Sequence, residues 1–117
     1  MWLCLSDAFF SVVEPDDVGG DVLLVRARRK GDIEKVFKGH EVKRTPGRDY
    51  LYRALIPREA VAQVVADQVR QISYDNFKNS VKENKLHGAF ARFWHIHADL
   101  QEIPPYSRDR NKQGKLL

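Results

Sequence analysis

A dense group of basic side chains is the part of this sequence with the clearest chemistry. Between Arg26 and Arg58 the chain carries eleven lysines and arginines against four acids, a local balance of +7. The first 24 residues carry five acids and no base. Such a surplus creates a positive field that concentrates a polyanion or an acidic protein surface. The pattern therefore predicts a binding partner rather than a reaction.

The densest basic cluster lies immediately before a predicted helix start at Gly31. Exposed N–H groups at that start, with Arg29 and Lys30 beside them, could hold a phosphate. A single turn glycine is not, however, the glycine-rich loop of a nucleotide-binding protein. The candidate binding residues are Arg26, Arg28, Arg29, Lys30, Lys43, Arg44 and Arg53.

Side chains that could carry catalysis are few. His95 and His97 are the closest pair of histidines, but positions i and i+2 of a helix face different ways, so they do not readily share a metal ion. A general base beside a positive pocket would suit a phosphate-containing substrate. Two sets of residues could supply such a base, although their spacing does not require this role. They are His40 with Lys43 and Arg44, and His87 with Lys78 and Arg92. We expect no catalytic residue, metal ligand or cofactor.

The elements that must position the basic residues are predicted from hydrophobic patterning. Residues 1–14 are extended with a bulge or tight turn at Ser6 and Asp7, and residues 22–28 form a second strand. A short helix is expected over residues 31–37. Residues 40–45 and 50–56 are expected to form a second hairpin around the Pro46 turn.

Helices are predicted over the second half of the chain. One begins at Pro57 and runs to about residue 71, another begins near Tyr74 with Ser73 as its cap, and a long one spans about residues 84–101. The fold class is therefore α+β, a single domain over residues 1–103 with two hairpins in a four-stranded, mostly antiparallel sheet covered by about three helices. The expected core residues are Val61, Val65, Phe90 and Phe93.

Strand alternation separates the charges from the core. Leu24-Val25-Arg26-Ala27 and Leu51-Tyr52-Arg53-Ala54 match at an offset of 27 and suggest two similar units with helices on one face of the sheet. The opposite face would then carry Leu24, Arg26, Arg28, Leu51, Arg53 and Leu55. That face could be solvated, covered by the last helices with its arginines paired to the N-terminal acids, or used to bind protein or single-stranded nucleic acid.

The remaining features concern compartment and termini. Cys4, the only cysteine, excludes an intramolecular disulfide and is expected to be a small buried hydrophobe in a reducing compartment. No stretch approaches the length of a membrane span or a signal peptide, so we expect a cytoplasmic protein without a membrane partner. Residues 104–117 are expected to form a flexible basic tail.

Three stretches carry a resemblance to other proteins. Asp49-Tyr50-Leu51-Tyr52-Arg53-Ala54, Tyr74 through Val81, and Phe93-Trp94-His95-Ile96-His97 resemble a group of small, uncharacterised bacterial proteins. The resemblance implies a self-contained single domain and transfers no activity or site.

The sequence therefore favours a non-enzymatic accessory or regulatory module that docks a macromolecule through a basic sheet face. An acidic protein is the expected partner. Nucleic acid is the alternative, and a small enzyme acting on a phosphate-containing substrate is the less favoured one.

Overall fold

One five-stranded antiparallel sheet organises residues 1–106, which are the residues that this computed structural model describes. The strands follow the order β1-β2-β3-β5-β4 across the sheet. They are β1 Trp2–Leu5, β2 Ala8–Val13, β3 Val22–Ala27, β4 Lys43–Arg44 and β5 Tyr52–Pro57. The helices of this part of the chain are α1 Asp32–Val36, α2 Arg58–Arg70, α3 Phe77–Ser80 and α4 Asn84–Ala98. The α+β class and the single small domain are confirmed.

The sequence prediction of four strands is wrong because the turn at Ser6 and Asp7 divides the N-terminal run. The run folds back on itself as the β1–β2 hairpin, and Met1 and Val12 exchange backbone hydrogen bonds of 2.7 and 2.8 Å at its open end. The predicted strand over residues 40–45 is reduced to the two residues of β4. The sheet thus has one strand more than predicted, and the strand at each edge is short.

The described residues contain four helices rather than about three, and the helix predicted near Tyr74 is the short α3. It begins at Phe77 rather than Tyr74, since the Asn76 side chain accepts a 3.2 Å hydrogen bond from Asn79 N and caps the turn. Ser73 does not cap this helix. The long final helix ends at Ala98, close to the predicted end.

The main core lies between one face of the sheet and helices α1 and α2. The sheet supplies alternate residues of three strands, the helices supply Ile33 and Val61, and Phe37 follows at the C-terminal end of α1. Phe10 and Phe37 meet edge to face with ring centroids 5.1 Å apart. This core contains the buried residues Ala8, Phe10, Val12, Val25, Ala27, Ala54 and Ile56 of the sheet. The predicted inward position of Val25, Ala27 and Ala54 is confirmed.

A second core forms on the opposite face, where covering by the last helices was one of the alternatives that the sequence left open. Phe9 of β2 lies 6.4 Å from Phe90 and 5.8 Å from Phe93 of α4, measured between ring centroids. The alternation of β2 explains this, because Phe9 and Phe10 must point to opposite faces and both are large and apolar. Val61 and Phe90 are buried as predicted, whereas Val65 and Phe93 are only partly buried.

Three further expectations concern exposure and the termini. Cys4 is exposed on the edge strand β1, so the prediction of a buried thiol is wrong. Partial desolvation nevertheless raises its pKa. Within residues 1–106, no helix combines the length and the apolar character that crossing a membrane requires. Most of the predicted tail, from residue 107 onward, lies outside the described residues.

Candidate functional site

A row of basic side chains crosses three strands of the sheet. Ser11 of β2 pairs with Arg26 of β3, Arg26 pairs with Arg53 of β5, and Arg53 pairs with Lys43 of β4. Directly opposed residues of antiparallel strands project from the same face. We call these four residues the basic row. The prediction that Arg26 and Arg53 share a face is confirmed.

An apolar row runs beside the basic row on the same face. Val13 pairs with Leu24, and Leu24 pairs with Leu55. Helix α4 contacts this face at Trp2 and Phe9, whereas Leu55 remains 52% exposed. We call the basic and apolar rows together the open face.

Tyr50 lies beneath two guanidinium groups. The Cζ atom of Arg26 is 4.6 Å from the centroid of the Tyr50 ring, and that of Arg28 is 4.2 Å from it. The ring itself is buried. A cation over an aromatic face is attracted by the negative potential of the ring. Tyr50 therefore holds both arginines in place while leaving their charge uncompensated.

The loop that carries Tyr50 is fixed by hydrogen bonds. Arg28 Nη1 donates to the Asp49 carbonyl oxygen at 2.6 Å, and Thr45 Oγ1 donates to the Tyr50 carbonyl oxygen at 3.0 Å. Asp49 Oδ1 accepts from Arg53 Nη2 at 2.8 Å and from Tyr50 N at 3.0 Å. The Asp49 carboxylate is therefore already engaged, and it is paired with Arg53 rather than with Arg26 or Arg28.

Arg26 and Arg28 have no carboxylate partner among residues 1–106. Arg26 makes one side-chain hydrogen bond, from Nη2 to Ser11 Oγ at 2.6 Å, and its buried Nε has no acceptor in this part of the chain. A guanidinium carries five N–H donors and is permanently charged. Two such groups, side by side and without an acid, favour an incoming carboxylate or phosphate.

Arg29 belongs to a different arrangement. Its side chain makes ion pairs with Asp32 at 3.1 Å and with Glu83 at 2.6 Å. Burial alone would lower the pKa of Arg29, but the hydrogen bonds and charges of Asp32 and Glu83 raise it on balance. Backbone N–H groups of Leu86 and Lys85, and then Arg29, lower the pKa of Glu83. Arg29 thus links α1 to the start of α4 and is not part of the open face.

Lys30 and Arg44 are also separate from the basic row. Lys30 is exposed in the turn before α1. Arg44 pairs with Tyr52, which packs against the main core, so Arg44 projects from the opposite face to Lys43. Of the seven candidate binding residues, Arg26, Arg53 and Lys43 lie in one row and Arg28 adjoins it through Tyr50.

A cleft of about 550 Å³ adjoins the basic row where α4 covers the sheet. Arg28, Arg29 and Lys85 supply positive charge at its wall, and Asp32 supplies an acid. Most of its surface is apolar and comes from Trp2, Phe9, Tyr50, Leu86, Ala89, Phe90 and Phe93. Tyr50, which lies under Arg26 of the basic row, is part of the lining of this aromatic cleft.

The histidines do not assemble into a metal site in the part of the chain that the structure describes. Residues 1–106 contain no group of three or more His, Cys, Asp and Glu side chains placed to hold a metal ion. The ring of His95 instead contacts Trp94, with centroids 5.1 Å apart.

Sequence reasoning missed two residues of the site. The predicted strand over residues 50–56 begins at Tyr50, and alternation within it would place Tyr50 on the core side with Tyr52 and Ala54. Tyr50 instead precedes β5, and the folded loop places it under Arg26 and Arg28. Ser11 belongs to a strand whose register with β3 has no signal in the sequence.

Comparison with known proteins adds no relative, since no protein-family model, curated protein or solved structure matches this chain. The resemblance to small bacterial proteins stays a prediction.

Proposed function

We propose that this protein is a non-enzymatic accessory or regulatory binding module whose open face docks an acidic segment of a protein partner. The observation that carries the proposal is the pair of arginines, Arg26 and Arg28, held over Tyr50 without a carboxylate partner in the described chain. An incoming carboxylate meets guanidinium groups that are already positioned, so that little side-chain entropy is lost on binding.

The apolar row favours a protein over nucleic acid. Val13, Leu24 and Leu55 lie one row from the basic row, so a partner segment with acidic residues on one side and aliphatic residues on the other matches both. Arginine flanked by apolar side chains is a common composition for the energetic centre of a protein interface. The Tyr50 ring is buried under Arg26 and Arg28, which removes it as a stacking platform for a base.

The two residues of β4 provide a matched pair of charge reversals. Lys43 and Arg44 are adjacent and both exposed, but they project from opposite faces of the sheet. We expect Lys43→Glu to weaken partner binding by roughly tenfold, which corresponds to about 1.4 kcal/mol. Arg44→Glu makes the same kind of change in charge and should leave the affinity unaltered.

The partner for this measurement is obtained by capture from an extract of the native host after nuclease treatment, and its affinity for each variant is measured by calorimetry. Equal effects of Lys43→Glu and Arg44→Glu would show that only the overall charge matters, and would refute docking on the open face.

The experiment must also distinguish nucleic acid as the alternative partner, because Trp2 is exposed at the end of the basic row, opposite Ser11. A single-stranded oligonucleotide would bind with a steep linear dependence of log affinity on log salt. Leu55→Ser distinguishes the two partners, since it removes an apolar contact without changing charge. The substitution should weaken the binding of a protein partner and leave the binding of an oligonucleotide unchanged.

A further inference from the structure

The cleft of about 550 Å³ between α4 and the sheet has a largely aromatic lining. Phe9 meets Phe93 edge to face with ring centroids 5.8 Å apart, and Phe90 lies 6.4 Å from Phe9 at a tilted angle. Ala89 also lines the cleft and occupies little space beside these rings. Clefts of about 300–1,000 Å³ with mostly apolar walls are typical small-molecule sites. The cleft therefore suits a compact apolar body.

Trp2 forms part of the cleft wall and is only partly covered by the protein itself. Its ring stacks on Phe93 at 6.0 Å and meets Phe9 edge to face at 5.7 Å, yet the residue is 64% exposed. A flat aromatic ligand can extend this set of stacked and edge-to-face contacts, and it would remove part of the Trp2 surface from water. The lining thus favours an aromatic body over an aliphatic one.

The acids beside the cleft are already engaged by other cations. Asp32, which lines the cleft and is buried, pairs with Arg29 at 3.1 Å and with Lys35 at 3.4 Å. Glu83, just before α4, pairs with Arg29 at 2.6 Å. These carboxylates therefore neutralise Arg29 and Lys35 and leave the other cations of the cleft wall uncompensated.

Arg28 and Lys85 are those other cations, and neither has a carboxylate partner among residues 1–106. Arg28 donates to the backbone carbonyl oxygen of Asp49 at 2.6 Å, and its guanidinium is held 4.2 Å from the Tyr50 ring centroid. A guanidinium in a fixed position, together with an ammonium on a flexible stem, attracts a carboxylate group. The charges of the wall therefore select an anionic head group.

We propose that this cleft binds a small aromatic carboxylate, with the carboxylate at Arg28 and Lys85 and the ring system against Trp2, Phe9 and Phe90. Arg28 and Lys85 are both exposed, so the head group stays at the rim and no unpaired charge is buried. A small-molecule site of this kind lies beyond the proposed function, because it uses neither the apolar row nor Lys43. Its test needs no protein partner, so either proposal can fail without the other.

Calorimetric titration with 2-naphthoate tests the site, and 2-naphthalenemethanol is the neutral ligand with the same ring system. We expect saturable binding of the acid and an affinity at least about tenfold weaker for the alcohol, because the alcohol cannot pair with the two cations. Laurate places the same head group on an aliphatic chain and should bind more weakly than 2-naphthoate. No saturable binding of 2-naphthoate, equal affinity for the acid and the alcohol, or tighter binding of laurate would overturn the proposal.

Two lysines near the start of α4 provide a matched pair of variants. Lys85→Gln removes a charge from the cleft wall and should weaken 2-naphthoate binding by about fivefold while leaving the alcohol unchanged. Lys82→Gln removes the same charge outside the lining, where Lys82 Nζ donates to the Asn79 carbonyl oxygen at 3.0 Å, and it should leave both affinities unaltered. Equal effects of the two substitutions on 2-naphthoate would show that only the overall charge matters and would refute the site.

Methyl NMR of the wild-type protein locates the ligand without any substitution. Ring currents of bound 2-naphthoate should shift the methyl signals of Leu86 and Ala89, which line the cleft, more than those of Leu55 and Val69, which do not. Ala89→Leu fills the cleft and should weaken the binding of all three ligands, with a cooperative melt as the control for folding. Shifts confined to methyl groups outside the cleft would place the ligand elsewhere and overturn the assignment.

Discussion

Replacing Tyr50 by leucine tests whether the ring holds the two arginines of the site. The change removes two cation–π contacts, at 4.6 Å for Arg26 and 4.2 Å for Arg28. Each contact contributes about 0.5–1 kcal/mol in a partly exposed setting. Loss of buried ring area adds about 1 kcal/mol, so the free energy of unfolding should fall by about 2–3 kcal/mol.

Urea unfolding measures this change directly, and thermal unfolding should show a decrease of about 8–12 °C for a domain of this size. Tyr50→Phe is the matched control, because it keeps the ring and removes only the hydroxyl, and it should change the stability by less than about 0.5 kcal/mol. Partner affinity should also fall in Tyr50→Leu although no charge is altered, since Arg26 and Arg28 lose their fixed positions.

A double-mutant cycle separates the cation–π contact from the packing of the ring. Arg28→Met removes the charge and retains an unbranched apolar side chain, and its combination with Tyr50→Leu should give a coupling energy of about 0.5–1 kcal/mol. The contribution of the hydrogen bond from Arg28 to Asp49 is lost both in Arg28→Met and in the double mutant, so it cancels from the coupling energy when the Tyr50 substitution leaves this bond unchanged. A coupling energy within about 0.3 kcal/mol of zero, the usual error of such cycles, would refute the stabilising role of this contact.

Three further predictions concern the scaffold. Val61→Asp places an unpaired charge in the main core and should abolish the cooperative melt, whereas Ala62→Asp, on the exposed side of the same helix, should not; retained cooperativity in the first variant would contradict the core assignment. Asn76→Ala removes the cap of α3 and should cost about 1 kcal/mol in urea unfolding, while Asn79→Ala keeps the capped N–H and should cost little. Because the pKa of Glu83 is lowered in the folded state, its carboxylate stabilises the protein above about pH 5 and loses this effect as the pH falls below about 4. The melting temperature of Glu83→Gln should therefore lie below that of the wild type at pH 7 and converge with it at low pH, and a gap that persists in acid would exclude this linkage.

The sequence by itself determined the class of fold and the strand faces. Alternation along Leu24-Val25-Arg26-Ala27 placed Val25 and Ala27 in the core and Arg26 outside it, because a strand has a side-chain period of two whatever its neighbours are. The helical spacing of α2 and α4 predicted the burial of Val61 and Phe90 in the same way. These are local properties, and each follows from a few consecutive residues.

The tertiary structure alone decided which charges remain available. Arg29 and Arg26 are equivalent in the sequence as members of one basic cluster, but Arg29 meets Glu83, 54 residues away, whereas Arg26 meets Ser11 and Tyr50. Strand register and helix docking set these pairings, and they depend on contacts between distant segments that no local pattern records. The covering of Phe9 by α4 arises in the same way, since it depends on where the last helix packs.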